Sequence, residues 1–327
     1  MPVLASLVAL IGIFLWGGWG MLFTAALLSV LEITLSFDNA ILNAKILAGM
    51  DEKWRRRFIT WGILVAVFGT RLVLPVLIVS FSALVSPLVI ANLALFDPGE
   101  YGRLLEEAHY AIGAFGGIFL TMVALKYFFN QAKEVHWIEA IEERLSSLGR
   151  LEAIEIMLAL VVLLVISFFV GHEAGYTVLF AGLIGIILFI VIHGVANTYA
   201  SEGAVAGGSA ALFVYLNVLD SAFSLDGVIG AFAITSVLPI IVVGLGIGAY
   251  FVRAITLYLV ERNTLNTLLY LEHGAHWAIF GLALAMLAGL LIHVPEVITG
   301  VVGFIIVVAA YVSSVRYKRR TDGASAL

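Results

Sequence analysis

Between Ile156 and Gly171, and again between Thr177 and Ile192, the chain carries no charged side chain. Uncharged runs of this kind approach the roughly 17–25 apolar residues that cross a bilayer. In hydrocarbon every backbone N–H and C=O must be paired within the protein, which leaves helices for a chain with this pattern. Composition agrees: 62% of the residues are hydrophobic and 12% charged, against roughly 45–50% and about 25% in soluble domains. The expected fold is an all-α polytopic transmembrane bundle of about ten spans, near 3–18, 20–48, 57–83, 106–129, 152–170, 177–196, 205–234, 237–260, 275–293 and 296–315. The apolar N-terminus has no basic residue before its hydrophobic run and reads as a retained first span.

Basic residues set the expected orientation. With the N-terminus cytoplasmic, one face collects Lys53, Arg55, Arg56, Arg57, Lys133, Arg144, Arg150, Arg262, Arg316, Lys318, Arg319 and Arg320, and the other keeps Arg103. Lys and Arg in short loops favour the cytoplasmic side, so both termini are placed there. The segment 131–150 has Ile138, Ile141, Leu145 and Leu148 at helical spacing and reads as an amphipathic piece that lies on the cytoplasmic surface or packs against the bundle, without chemistry of its own. Pro87 to Phe96, before Asp97-Pro98-Gly99, reads as a short re-entrant or interfacial piece.

The chain repeats itself. Leu31-Glu32-Ile33-Thr34-Leu35-Ser36-Phe37-Asp38 aligns without a gap on Leu219-Asp220-Ser221-Ala222-Phe223-Ser224-Leu225-Asp226, at an offset of 188 for both acids (220 less 32, 226 less 38). Arg71 and Arg253 follow in the next spans, and Ala108-His109-Tyr110-Ala111-Ile112 is echoed by Ala275-His276-Trp277-Ala278-Ile279. Matched features in the same order indicate duplication. Five spans per half is odd, so the second copy must enter the membrane upside down, as in transporters with a midplane site. The expected organisation is a first repeat over 1–172, a second, inverted repeat over 173–316, and a basic cytoplasmic tail over 317–327.

Intramembrane carboxylates cost roughly 2.5–3.5 kcal/mol each on insertion scales and mark functional sites. Glu32, Asp38, Asp220 and Asp226 are therefore the candidate ligands, with Asn39 beside them and Ser36, Asn43, Asn217 and Ser224 as supporting oxygens. On a regular helix Ser36, Asn39 and Asn43 fall within about 40° of Glu32, whereas Asp38 points about 120° away. Convergence of Glu32 and Asp38 thus requires a backbone distortion near Ser36 or help from a neighbouring helix; Gly227 and Gly230, in a span longer than a bilayer needs, suggest tilt or interruption in the second copy. Arg71 and Arg253 are read as charge partners of the acids, and His109 and His276, at span ends, as gating or proton-relay candidates.

Carboxylate, amide and hydroxyl oxygens suit Mg²⁺, Ca²⁺ or Mn²⁺. Four carboxylates and two arginines leave a formal −2, matching one divalent cation or an exchange against protons. With no cysteine there is no thiolate site. A zinc-protease run, nucleophile elbow or phosphate loop is not evident, so neither an enzyme nor an organic cofactor is expected. The net charge of −5 argues against nucleic acid; the expected partners are a divalent ion and the bilayer, and homo-oligomers are compatible with both.

Glu32-Ile33-Thr34-Leu35-Ser36-Phe37-Asp38-Asn39, Phe223-Ser224-Leu225-Asp226 and Leu271-Glu272-His273-Gly274-Ala275-His276 resemble the TerC family of bacterial membrane proteins. The resemblance implies a manganese exporter in the bacterial inner membrane, with Mn²⁺ as the transported ion and family acids at Glu32, Asp38, Asp220 and Asp226. The chain departs at Gly227, where the family motif commonly has Ser or Asn, and has more spans than shorter members. Two alternatives are a proton-coupled exporter of a small organic solute held by the arginines, and a non-transporting scaffold or metal-delivery partner.

Overall fold

A computed structural model describes residues 2–201, 205–292 and 294–324. In chain order the helices are α1 (Pro2–Leu35), α2 (Phe37–Ala48), α3 (Glu52–Leu64), α4 (Leu74–Ala83), α5 (Pro87–Phe96), α6 (Pro98–Glu107), α7 (His109–Phe128), α8 (Glu139–Leu148), α9 (Ile154–Val170), α10 (His172–Ser201), α11 (Val205–Ile234), α12 (Leu238–Glu261), α13 (Thr264–Thr267), α14 (Leu271–Gly289) and α15 (Glu296–Ala324). A π-helical stretch, Val65–Val73, joins α3 to α4. The described residues contain no strand. Eight of their helical stretches are long and apolar enough to cross a membrane, and α5 and α9 are shorter apolar helices. The all-helical polytopic bundle expected from the uncharged runs is the fold.

Several boundaries differ from expectation for local reasons. The first two expected spans share α1, which turns at Gly18 (φ 71°, ψ −163°), a left-handed conformation open to glycine at little cost. The region before α7 forms its own helix, α6, because Asp97 accepts from the Glu100 N–H and Pro98 occupies its first turn. The basic tail continues α15 to Ala324 instead of leaving it as a separate segment.

The bundle is built around α7. Its burial on all sides explains why no single apolar stripe marks it in the sequence. Gly113, Gly116 and Gly117 let α14 approach: an added Cβ at Gly113 would lie 2.7 Å from Leu290, and one at Gly116 2.6 Å from Met286. By contrast Leu4, Leu7, Val8, Leu15 and Trp16 of α1 are exposed, as side chains facing lipid must be.

Repeat-matched helices meet each other running in opposite directions. Residues 32 and 39 of the first motif lie beside 227 and 220 of the second: a Cβ at Gly227 would be 3.0 Å from Glu32, and Asn39 bonds Asp220 at 2.8 Å. Likewise Gly62 lies against Arg253 and Val67 against Gly246. The start of α7 meets the end of α14 through His109 and the Gly289 carbonyl at 3.1 Å, and its Tyr127 stacks on His276 near the start of α14 at 3.6 Å between centroids. The motif-bearing helices and their matched neighbours thus contact one another antiparallel.

Close approach of α12 to α1 depends on Gly244 and Gly248, a small-xxx-small pair. A Cβ at Gly244 would lie 2.7 Å from that of Leu28, and one at Gly248 would overlap the Glu32 side chain. Gly248→Leu is therefore expected to push α12 off the motif helix. The cost is about 1–3 kcal/mol for overpacking, read as a lower unfolding temperature in detergent; an unchanged temperature would contradict this packing.

Candidate ion-binding site

The turn demanded by helical phase falls at Ser36, whose φ of −103° and ψ of 17° separate α1 from α2. It re-aims Asp38 relative to Glu32, and both then line one cavity. The second copy takes another route: α11 runs through Asp220, Ser224 and Asp226 without an interruption at Gly227 or Gly230, which leaves tilt as the remaining expectation for that helix. There Gly227 serves close packing, leaving room for the Glu32 carboxylate.

The four acids divide into two pairs. Glu32 is ion-paired with Arg71 and accepts from Ser36 Oγ at 3.3 Å, all three side chains being buried. Asp220 is paired with Arg253 Nη2 at 3.2 Å and accepts from Asn39 Nδ2 at 2.8 Å. Each first acid of the motif thus meets the arginine of its own repeat. Asp38 and Asp226 have no Lys or Arg ion-pair partner among the described residues. The formal −2 of the cluster therefore resides on this second pair, one aspartate from each repeat.

The π-helical turn around Arg71 was not legible in advance. Widening the helix there brings the Arg71 guanidinium back onto the Ala66 carbonyl (Nη1 to O, 2.6 Å) while its other nitrogen reaches Glu32. Inserted π turns recur at functional sites because they re-aim side chains in this way. Arg253 instead lies over the Phe58 ring at 4.2 Å and donates to the Phe58 carbonyl at 3.3 Å.

Glu32, Ser36, Asp38 and Asp226 line a narrow cavity of about 20 Å³, closed by small residues of α15, Gly300 and Gly303. That is room for one water-sized occupant. Asp220 does not line it. A larger hollow of about 790 Å³, between α4, α7 and α10, is walled by Leu77, Phe81, Phe115 and Phe180 and has no acid.

Supporting oxygens are placed unevenly. Asn39 Oδ1, Asn43 Oδ1, Asn217 Oδ1 and Ser224 Oγ are buried without a hydrogen-bond partner, a condition that costs about 1–3 kcal/mol per group when nothing compensates. Asn217 spends its amide N–H on the Phe213 carbonyl at 2.7 Å. Among the described residues no three His, Asp or Glu side chains converge at metal-ligating spacing. Any cation between Asp38 and Asp226 therefore needs neutral oxygens or retained water to complete its shell. His109 borders a separate vestibule, and His276, with its Nδ1 on the Glu272 carbonyl at 2.9 Å, lies at the opposite end of the bundle.

One group read as silent in the sequence is engaged. The segment 131–150 supplies α8, and its Glu142 is fully buried. Its carboxylate accepts from His273 Nδ1 at 2.7 Å, Trp277 Nε1 at 2.9 Å and Lys133 Nζ at 2.9 Å. Burial alone would push the Glu142 carboxyl up; these hydrogen bonds and the His273 charge outweigh it and hold the carboxyl well below the usual range. The pattern Leu271-Glu272-His273 carried a signal for His273, but nothing local predicted its partner 131 residues away.

Glu142→Gln should free α8 from α14, at about 3 kcal/mol for breaking a buried charged network. Limited proteolysis within 131–150 would detect this; unchanged resistance would refute the anchoring. Because the folded Glu142 is depressed, its contribution is complete above the ordinary carboxylate value near 4.3 and is lost only on further acidification. Wild-type α8 should therefore stay protected at pH 5.

A family model described as "Protein of unknown function (DUF475)" matches residues 37–321. No curated protein and no solved structure matches the chain.

Proposed function

The chain belongs to the DUF475 family, and from that premise we propose that it is a membrane transporter exporting a divalent metal cation, Mn²⁺ first, by alternating access around Asp38 and Asp226. The observation carrying this reading is that one aspartate from each repeat, neither held by a basic side chain, borders the same water-sized cavity. Two carboxylates carry the charge of one divalent ion, and the hydroxyl residues Ser36 and Thr299 that line the same cavity offer hard oxygen ligands suited to Mn²⁺ and Mg²⁺. The TerC-like motif around Glu32, Ser36, Asp38 and Asn39 favours manganese among these.

Glu32–Arg71 and Asp220–Arg253 act as neutral struts that keep the two motif helices and their neighbours in register. Exchange of the cation against protons follows if the aspartates protonate when the ion leaves, since a pair of buried, unneutralised carboxylates favours either occupant over none. The organic-solute alternative would need the arginines free for a substrate carboxylate; both guanidiniums are engaged, and the cavity admits a single water-sized guest.

The test is Mn²⁺ flux into proteoliposomes containing the purified protein, with a proton gradient imposed in either direction. Flux above protein-free vesicles, saturable and sensitive to the gradient, is expected. Absence of flux with Mn²⁺, Mg²⁺ and Ca²⁺ alike, together with capture of a stable envelope partner, would replace transport by the scaffold reading.

A further inference from the structure

A second hollow of about 490 Å³ lies at the end of the bundle away from Lys126, Lys133 and α8. Glu106 and His109 border it, set together by the turn at Ala108 between α6 and α7, and Asp226 and Thr299 form part of its wall. Those last two residues also border the small cavity containing Asp38. Asp226 is therefore the shared wall between a vestibule and the buried acidic cavity, and it is the half-buried acid where Asp38 is 5% exposed.

Toward the basic loops the path is blocked. Arg253, clamped by Asp220 and the Phe58 carbonyl, lies over the Phe58 ring, and behind it Leu47, Met50, Phe58 and Leu216 form a buried apolar plug. Among the described residues the vestibule is thus an approach to the acids and the plug a barrier.

We propose that the vestibule is the route by which the transported cation meets the aqueous phase on the side opposite the basic loops, with Glu106 and His109 as an outer recognition site and Asp226 as the relay inward. The inference rests on the cation-transport reading and adds to it a sidedness, two outer ligands and a relay. Glu106 supplies a hydrated carboxylate and His109 an imidazole whose Nε2 rests on the Gly289 carbonyl at 3.1 Å, a contact a cation can displace. An imidazole beside a carboxylate disfavours Mg²⁺ and Ca²⁺, which prefer oxygen alone, relative to first-row transition-metal dications as a class. Vestibule geometry also explains why Asp226 and Asp38 differ in exposure despite their matched motif positions: the barrier covers one end of the site only.

The absence of cysteine makes the test direct. Single-cysteine variants Ile229→Cys and Ala233→Cys place a thiol on the vestibule wall, and Leu216→Cys places one in the plug. A membrane-impermeant cationic thiol reagent is applied to oriented vesicles from each side, with and without Mn²⁺. Labelling of the two vestibule thiols from the side opposite the basic loops, no labelling of Leu216→Cys from that side, and a slowing by Mn²⁺ of tenfold or more that Glu106→Gln with His109→Ala abolishes, would establish the route. Vestibule thiols as unreactive as Leu216→Cys, labelling from the basic side alone, or labelling indifferent to Mn²⁺ would overturn it. Flux measured in parallel separates the two ideas: flux without labelling sinks the route and spares transport, whereas loss of flux for every cation sinks transport itself.

Discussion

Asp38→Asn and Asp226→Asn are expected to abolish Mn²⁺ flux while leaving the protein as stable as before, or more so. Asparagine keeps the size and one oxygen of aspartate and removes the charge. In a cavity of about 20 Å³ that charge cannot be replaced by bulk water, and losing it is worth about 3 kcal/mol, roughly a hundredfold in occupancy. Stability should move the other way. Neither acid is in an ion pair with a basic side chain among the described residues; Asp38 is buried and accepts from the Asn39 N–H at 2.9 Å, Asp226 is half-buried, and neutralising either removes the cost of holding a charge away from bulk water without a counter-charge. Loss of flux with a raised unfolding temperature would identify residues held for function at the expense of stability. Full flux in both variants would show that the cavity is not the transport site.

Arg71→Met should behave in the opposite manner. Arg71 and Glu32 are each about 3% exposed, so removing the cation alone strands a buried carboxylate, which costs about 3–5 kcal/mol. Adding Glu32→Gln to Arg71→Met removes both charges and should restore most of that loss, because a buried pair and a neutral replacement are often close in stability. Thermal unfolding of the purified variants measures this. A double variant no more stable than Arg71→Met would mean that Arg71 acts through the Ala66 carbonyl and the π-helical turn instead of through Glu32. The contrast between the two experiments separates struts from ligands among four acids that the motif presents as equivalents.

That equivalence is where sequence reasoning reached its limit. Helical phase placed Asp38 off the Glu32 face and called for a distortion near Ser36 or help from a neighbouring helix, and the distortion is there. The same argument could not tell that α11 runs straight, because its fit depends on Gly227 lying against Glu32 of the other repeat. Nor could periodicity foresee the π-helical stretch at Val65–Val73, since widening by one residue leaves hydrophobicity unchanged. Glu142 was hidden for a related reason: in an amphipathic surface segment a glutamate is ordinarily solvated, and its burial is decided by His273 and Trp277 of a distant helix.

What the amino-acid order settled by itself was the class of fold and the presence of two acidic motifs that match in order and spacing. Uncharged runs leave the backbone no alternative to helix in hydrocarbon, and a constant offset of 188 is a property of the chain alone. What the tertiary structure decided was which acids are neutralised, which share a cavity and which end of it is open. Those depend on neighbours 39, 33 and 181 residues away. Helical phase fixes the direction of a side chain about its own axis and is silent about the helix it faces.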